Sequence, residues 1–188
     1  MQATKKSGVF FFVVGPSGAG KDSLIDGARR VLPGDKFIFA RRIITRPHGS
    51  PGEDHEACTE AEFQARISQH GFLITWQAHG LNYGLPSSLL DEMSAGSNII
   101  ANGSRAMVAA LREKIPTLIV IEVNAPKSVL EKRLSSRGRE TIEDVARRLN
   151  RTVVDYPVGL SVLRVMNDGT LEDGINKFIH AIHQQLSS

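Results

Sequence analysis

Apolar positions along the chain alternate between unbroken runs and helical spacings. Val9-Phe10-Phe11-Phe12-Val13-Val14 is continuous, the pattern of a strand buried on both faces. Past Lys21, Leu24, Ile25, Ala28, Val31 and Leu32 recur at the period of a helix, which Pro33-Gly34 ends. Phe37-Ile38-Phe39-Ala40 reads as a second strand, and a polar stretch from Pro47 to Glu56 follows it. Thr59 and Glu62 make a capping box that opens a helix running to about His70, with Gly71 as its stop. Phe72 to Trp76 and Asn82 to Gly84 read as short strands joined by a turn at His79-Gly80, and Ser87 to Met93 is helical. Asn98 to Asn102 is a core strand, Ser104 to Lys114 a helix and Leu118 to Val123 another buried strand. Pro126 opens a helix through Leu134, and Thr141 with Asp144 caps one that ends at Asn150. Val162 to Met166 is the last strand. Leu171, Ile175, Phe178, Ile179, Ile182 and Leu186 then form one face of a closing helix.

This alternation predicts an α/β fold, a parallel sheet flanked by helices. Two segments interrupt it. Residues 41–94 read as an inserted substrate-binding region, and residues 135–152 as an arginine-bearing lid. A length of 188 residues fits a single domain over 1–188, with no internal repeats. Cys58 is the one cysteine, so no internal disulfide forms, which suits a reducing compartment. Lys5 and Lys6 precede an apolar stretch, but it runs into a glycine loop with no small-residue cleavage site. No run approaches the roughly 18 apolar residues of a membrane helix. The expectation is a cytoplasmic protein with no membrane and no nucleic-acid partner, since its charge of +3 comes with no aromatic-basic stripe. Oligomeric state is not legible.

The chemistry sits first in Gly15-Pro16-Ser17-Gly18-Ala19-Gly20-Lys21-Asp22-Ser23. Gly15, Gly20 and Lys21 have the spacing of a P-loop, between a strand and a helix as the mechanism requires. Backbone N–H groups of such a loop curl around a β-phosphate, the helix N-terminus adds its dipole, and Lys21 reaches the β/γ-phosphates. The ligand class is a nucleoside triphosphate, ATP or GTP, with Mg²⁺. The position after the lysine ordinarily carries a hydroxyl for the metal, and here it is Asp22. A carboxylate beside a triphosphate needs Mg²⁺ between them, bound directly or through a water. The plainer alternative is an anion capping the helix N-terminus.

Arginines should mark the phosphates, because phosphoryl transfer is mostly positioning and charge neutralisation. Arg41, Arg42 and Arg46 follow the second strand. Arg133, Arg137, Arg139, Arg147, Arg148 and Arg151 surround the lid, with Arg147 and Arg151 on one helix face. A solvated face paired with Glu143 and Asp144 is the plainer account of any one of them. Asn102, Ser104 and Arg105 leave a core strand at the end where α/β ligands bind. They suit sugar hydroxyls and phosphate, or merely a turn capped by Ser104. His55 suits an acceptor phosphate or a surface loop. His48 and His79 read as loop residues, and Trp76 as core rather than a stacking platform.

The order of motifs resembles the guanylate kinase family along nearly the whole chain. It runs from the P-loop through Ile44-Thr45-Arg46, Pro51-Gly52-Glu53 and Asn82-Tyr83-Gly84 to Arg137-Gly138-Arg139-Glu140-Thr141 and Asn167-Asp168. The resemblance implies Arg46 and Tyr83 on the acceptor's phosphate, Arg137 and Arg148 on the ATP phosphates, Ser23 at the α-phosphate and Asn167 beside adenine. The departures bear on the acceptor. Gly49 stands where the family carries a second arginine, and Ile74 where a glutamate reads guanine. Asp54-His55 stands in place of an Asp-Tyr, and Asn102-Gly103-Ser104-Arg105 in place of an Asp-x-Asp element. An isoleucine cannot accept the hydrogen bonds that discriminate a base. These departures, with Gly-Lys-Asp-Ser and Arg-Gly-Arg-Glu, are similar to the branch of the family that acts on a phosphorylated sugar, ribose 1,5-bisphosphate. The resemblance implies transfer of the ATP γ-phosphoryl to the sugar's 1-phosphate. A nucleoside monophosphate kinase with altered base recognition and a non-catalytic interaction module remain as alternatives, though Lys21 and the lid arginines weigh against the second.

Overall fold

The computed structural model describes residues 7–47, 54–135 and 156–187. The expected lid beyond Ser135, with Arg137, Arg139, Arg147, Arg148, Arg151 and the helix capped by Thr141, lies outside the described residues, as do His48, Gly49 and Pro51-Gly52-Glu53.

Strand β1 (Phe10–Val14) is the middle of the main sheet, and its lack of any polar position follows from that place. β7 (Asn98–Asn102) and β8 (Ile119–Asn124) flank it in parallel, with Phe12 opposite Ala101 on one side and Val120 on the other. β2 (Phe37–Phe39) and β9 (Ser161–Met166) complete the order β2-β7-β1-β8-β9, parallel throughout. Phe10, Phe12 and Val14 point into one apolar cluster. Phe11 and Val13 point into another, with Leu24 and Ala28 of α1 (Lys21–Val31) and Phe178 and Ile182 of α6 (Leu171–Leu186). All five β1 residues have no measurable exposure, so both faces demand apolar side chains.

A second sheet, β4-β3-β6-β5, lies within residues 42–86. β5 (Phe72–Ala78) and β6 (Leu81–Pro86) form the hairpin expected at His79-Gly80, and both turn residues have positive φ, 53° and 72°. That is the twist a two-residue hairpin needs. β3 (Arg42–Ile44) pairs antiparallel with β6 and parallel with β4 (His55–Ala57). The end of the polar stretch, His55 and Glu56, is therefore strand. Helix α2 (Glu60–Ser68) carries the Thr59–Glu62 capping box, both halves formed. It ends before His70, whose φ of 55° breaks the helix one residue ahead of the expected glycine, while Gly71 N–H closes on Arg66 O at 2.9 Å.

α3 (Leu89–Ser94) precedes β7. The helix expected over Ser104–Lys114 is split into a 3₁₀ turn at Arg105–Met107 and α4 (Val108–Lys114). Ser104 makes no side-chain cap, which removes the simple capping account of that residue. α5 (Lys127–Ser135) follows β8. Among the described residues no helix is long and apolar enough to cross a membrane.

Candidate active site

The glycine loop joins β1 to α1, and two of its glycines are there for reasons of space. Gly15 has φ 151°, and a Cβ would run into the Val123 carbonyl of the neighbouring strand. Gly20 caps α1 at φ 90°, where a Cβ would lie 2.5 Å from Asn167 Nδ2. Side chains tie down the loop's carbonyls. Lys21 Nζ donates to Gly15 O (2.9 Å) and Pro16 O (3.1 Å), and Asn167 Nδ2 donates to Ala19 O (2.8 Å). Arg133 Nη1 lies 3.5 Å from both Gly18 O and Ala19 O. With these acceptors engaged, the loop offers an anion its donors and the N-terminus of α1.

Asn167 is only 3% exposed, so it sits beneath the loop as a prop; its Oδ1 lies against Gly174 and has no hydrogen-bond partner among the described residues. Next to it, Ser128, Val129, Lys132, Arg133, Asp168 and Gly169 line an open cavity. The Asp168 carboxyl is held below its usual range by Lys177, 3.0 Å away.

Asp22 stands in the first turn of α1, where an anion suits the helix N-terminus, and makes no side-chain cap. Its Oδ1 accepts from Asn102 Nδ2 at 2.5 Å, joining the first turn of α1 to the end of β7. Asn102, expected to meet the acceptor, thus belongs with Asp22. Its own Oδ1 is buried with no partner among the described residues. A buried amide oxygen ordinarily finds a donor. A carboxylate and an adjacent amide oxygen are the hard donors Mg²⁺ takes. Among the described residues no cluster of three or more His, Cys, Asp or Glu is set for a metal. Mg²⁺ needs no such cluster, since it keeps waters and takes one or two carboxylates plus phosphates.

The second sheet supplies the opposing wall. Tyr83 of β6 is buried and stacked on Trp76, centroids 5.5 Å apart at 11°. Its hydroxyl accepts from Arg46 Nη2 at 3.4 Å, and the Arg42 guanidinium lies 5.5 Å from its ring centroid. Burial pulls the Arg42 pKa down, with nearby Arg46 acting the same way; Asp22 and Tyr83 oppose the shift. Arg42 also lines a cavity shared with Asp22, Asp26, Arg29, Asp54 and Asn102. His55 is on β4 and 8% exposed, so the surface-loop reading of it is wrong. Arg41 Nη2 donates to its carbonyl at 3.1 Å and pairs with Asp54 at 3.0 Å. Ile74 packs in the core with Trp76, Tyr83 and Leu85, and its side chain offers no hydrogen-bond acceptor.

Arg105 is held by two neighbours. Its Nε pairs with Glu122 at 3.3 Å and its Nη2 donates to Asn124 Oδ1 at 3.3 Å. Glu122 also receives the Tyr156 hydroxyl (2.8 Å) and pairs with Arg164 (3.5 Å). Burial, then Glu122's hydrogen bond and charge, push the Tyr156 phenol well above its ordinary value. The sequence carried one sign of this network, a lone acid inside the apolar run of β8. Arg42 and Arg133 stood in the arginine clusters, but nothing marked one for Tyr83 and the other for the P-loop.

These elements define a P-loop kinase of guanylate kinase fold. A guanylate kinase from Anaplasma phagocytophilum superposes with a TM-score of 0.67 at 15% identity, over 97% of this chain and 89% of that one. No family model matches the chain. The curated ribose 1,5-bisphosphate phosphokinase PhnN of Brucella melitensis is 43% identical over 185 residues, covering 98% of this chain and 96% of that protein. The chain belongs to the ribose 1,5-bisphosphate phosphokinase family. A bifunctional ribose 1,5-bisphosphokinase-thymidine phosphorylase of Azorhizobium caulinodans is 55% identical over 180 residues, and there the chain spans 26% of the relative's length.

Proposed function

We propose that the chain transfers the γ-phosphoryl of ATP to the 1-phosphate of ribose 1,5-bisphosphate, giving ADP and 5-phospho-α-D-ribose 1-diphosphate. The observation that carries the reading is the acceptor wall. Arg46 and Tyr83 meet there at 3.4 Å, a pair that would suit a phosphate, while Ile74 puts an apolar side chain where a base would need an acceptor. Phosphate recognition without base recognition suits a sugar phosphate.

On this reading Gly15 to Ser23 cradle the triphosphate, Lys21 swings from the loop carbonyls to the β/γ-phosphates, and Asn167 and Arg133 hold the loop's shape. Arg137 and Arg148 neutralise the ATP phosphates from the lid. Mg²⁺ would be held by Asp22 with the Asn102 amide oxygen beside it, and it supplies charge neutralisation at the phosphates. The acceptor phosphate is already an anion at neutral pH, so the reaction needs no dedicated general base. Ser104 and Arg105 lie toward the sugar, Arg105 steadied by Glu122. His55, on the strand paired with the one that carries Arg42, would stand on the acceptor side. The reaction is that of a protein working in the cytoplasm on a small phosphorylated sugar.

ADP release measured with ribose 1,5-bisphosphate, GMP and AMP in parallel tests the proposal. Turnover with ribose 1,5-bisphosphate far above both nucleotides supports it. Strong turnover with GMP alone overturns it.

A further inference from the structure

Arg42 opens β3, whose other neighbour β6 carries Tyr83. Arg42 lies over the Tyr83 ring and Arg46 reaches its hydroxyl, so two guanidinium groups converge on one phenol. Arg42 alone of this pair also lines the cavity walled by Asp22 and Asn102 from the P-loop side. Its neighbours are thus the acceptor wall on one hand and the donor helix on the other. Arg29, on the same cavity, lies over Phe39 (5.4 Å) and 3.7 Å from Asp54.

A guanidinium stays charged at every ordinary pH, so burying it forfeits solvation. The charge of Arg46 adds a smaller repulsion, and Asp22 and Tyr83 act against both. A phosphate dianion between the two arginines would meet both guanidinium charges. Planar guanidinium forks are suited to that ligand.

We propose that Arg42 binds the reacting phosphate of the acceptor and stabilises the charge that builds up as the phosphoryl group crosses; the inference rests on reading the chain as a kinase with a phosphorylated acceptor. In the step, an oxygen of the acceptor phosphate forms a bond to the γ-phosphorus. The bond from that phosphorus to the β,γ-bridging oxygen breaks, and ADP leaves with the electron pair. No proton moves. A fixed cation between two approaching anions serves the transition state more than either ground state.

The test is steady-state kinetics of Arg42→Ala and Arg42→Lys, each substrate varied in turn. Arg42→Ala should lower acceptor kcat/KM about 100- to 1000-fold, much of it in kcat, with the KM for ATP unchanged. Millimolar guanidinium ion should restore part of the lost rate, and the same concentration of sodium ion should not. Arg42→Lys keeps the stem and charge but loses the fork, so it should fold with an unchanged melting temperature and still lose at least about tenfold in acceptor kcat/KM. Arg42→Lys at wild-type kcat/KM overturns the inference, as does a well-folded Arg42→Ala that guanidinium does not rescue. If the wild type ignores ribose 1,5-bisphosphate but turns over another phosphate acceptor, the substrate reading fails. The same comparison on that acceptor then decides the role of Arg42. A wild type inert with every acceptor overturns both.

Discussion

Replacing Asn167 with alanine separates two roles for a residue expected beside adenine and found under the P-loop. The substitution removes two things of similar size. One is the Nδ2 donor to Ala19 O, at 2.8 Å in a buried place. Losing it leaves a loop carbonyl with only the long approach of Arg133 at 3.5 Å, at a cost of about 1–3 kcal/mol. The other is Oδ1, buried against Gly174 without a partner among the described residues. Removing an unsatisfied acceptor returns about 1–3 kcal/mol to the folded state. The two oppose each other in global stability, so the melting temperature should move by about 4 °C at most, the equivalent of roughly 1 kcal/mol in a chain of this length. They do not cancel in the loop, because only Nδ2 touches it. Nucleotide affinity should fall about 5- to 150-fold, following tenfold per 1.4 kcal/mol. The bond goes to backbone, so ATP and GTP should lose alike. Calorimetric titration with each nucleotide and Mg²⁺, beside a thermal melt, reads all three quantities. A loss confined to ATP would show that Asn167 reads adenine. Unchanged affinity with a large fall in melting temperature would show a packing role only.

Asp22→Ala and Asp22→Asn should each raise the Mg²⁺ needed for half-maximal turnover by about tenfold or more, and an unchanged Mg²⁺ titration removes the metal role. Glu122→Ala strands Arg105 and the Tyr156 hydroxyl, so urea unfolding should show a loss of about 2–4 kcal/mol; Glu122→Gln, which keeps an acceptor for Tyr156, should lose less, and equal losses would refute the shared network. The carboxyls of Glu62 and Asp173 are held below their ordinary values by hydrogen bonds from Thr59 and Thr170. Their contribution is complete above the unfolded carboxylate pKa of about 4 and is lost as pH falls through the lower folded values. Asp173→Asn should therefore flatten the fall of melting temperature below about pH 4, and an unaltered profile would refute the assignment.

What the sequence made legible was local. Phe10 to Val14 has no polar position and can only be a strand covered on both faces. The Thr59–Glu62 box and the His79-Gly80 turn each rest on residues within a few positions of one another. β3 and β4 were missed because strands of three residues each carry no measurable alternation; they exist by pairing with β6 and with each other. The helix stop at His70 was missed because a histidine took the left-handed conformation usually left to glycine. The same division runs through the candidate site. The P-loop is a local spacing and was readable. Asp22 meets Asn102 across 80 positions, and Arg133 meets Gly18 across 115, so neither contact leaves a mark in either segment. Tyr83-Gly84 was recognised as a pair, and the structure adds why glycine follows: the Phe72 ring packs where a Cβ would stand.

The claim that the acceptor is a sugar bisphosphate, recognised without reading a base, is tested most directly by phosphorus NMR of a reaction containing ATP, Mg²⁺, ribose 1,5-bisphosphate and GMP together. The account predicts that the γ-phosphoryl appears in a sugar diphosphate coupled to C1, with GMP unconsumed. Appearance of the phosphoryl in GDP, with ribose 1,5-bisphosphate left intact, would contradict it.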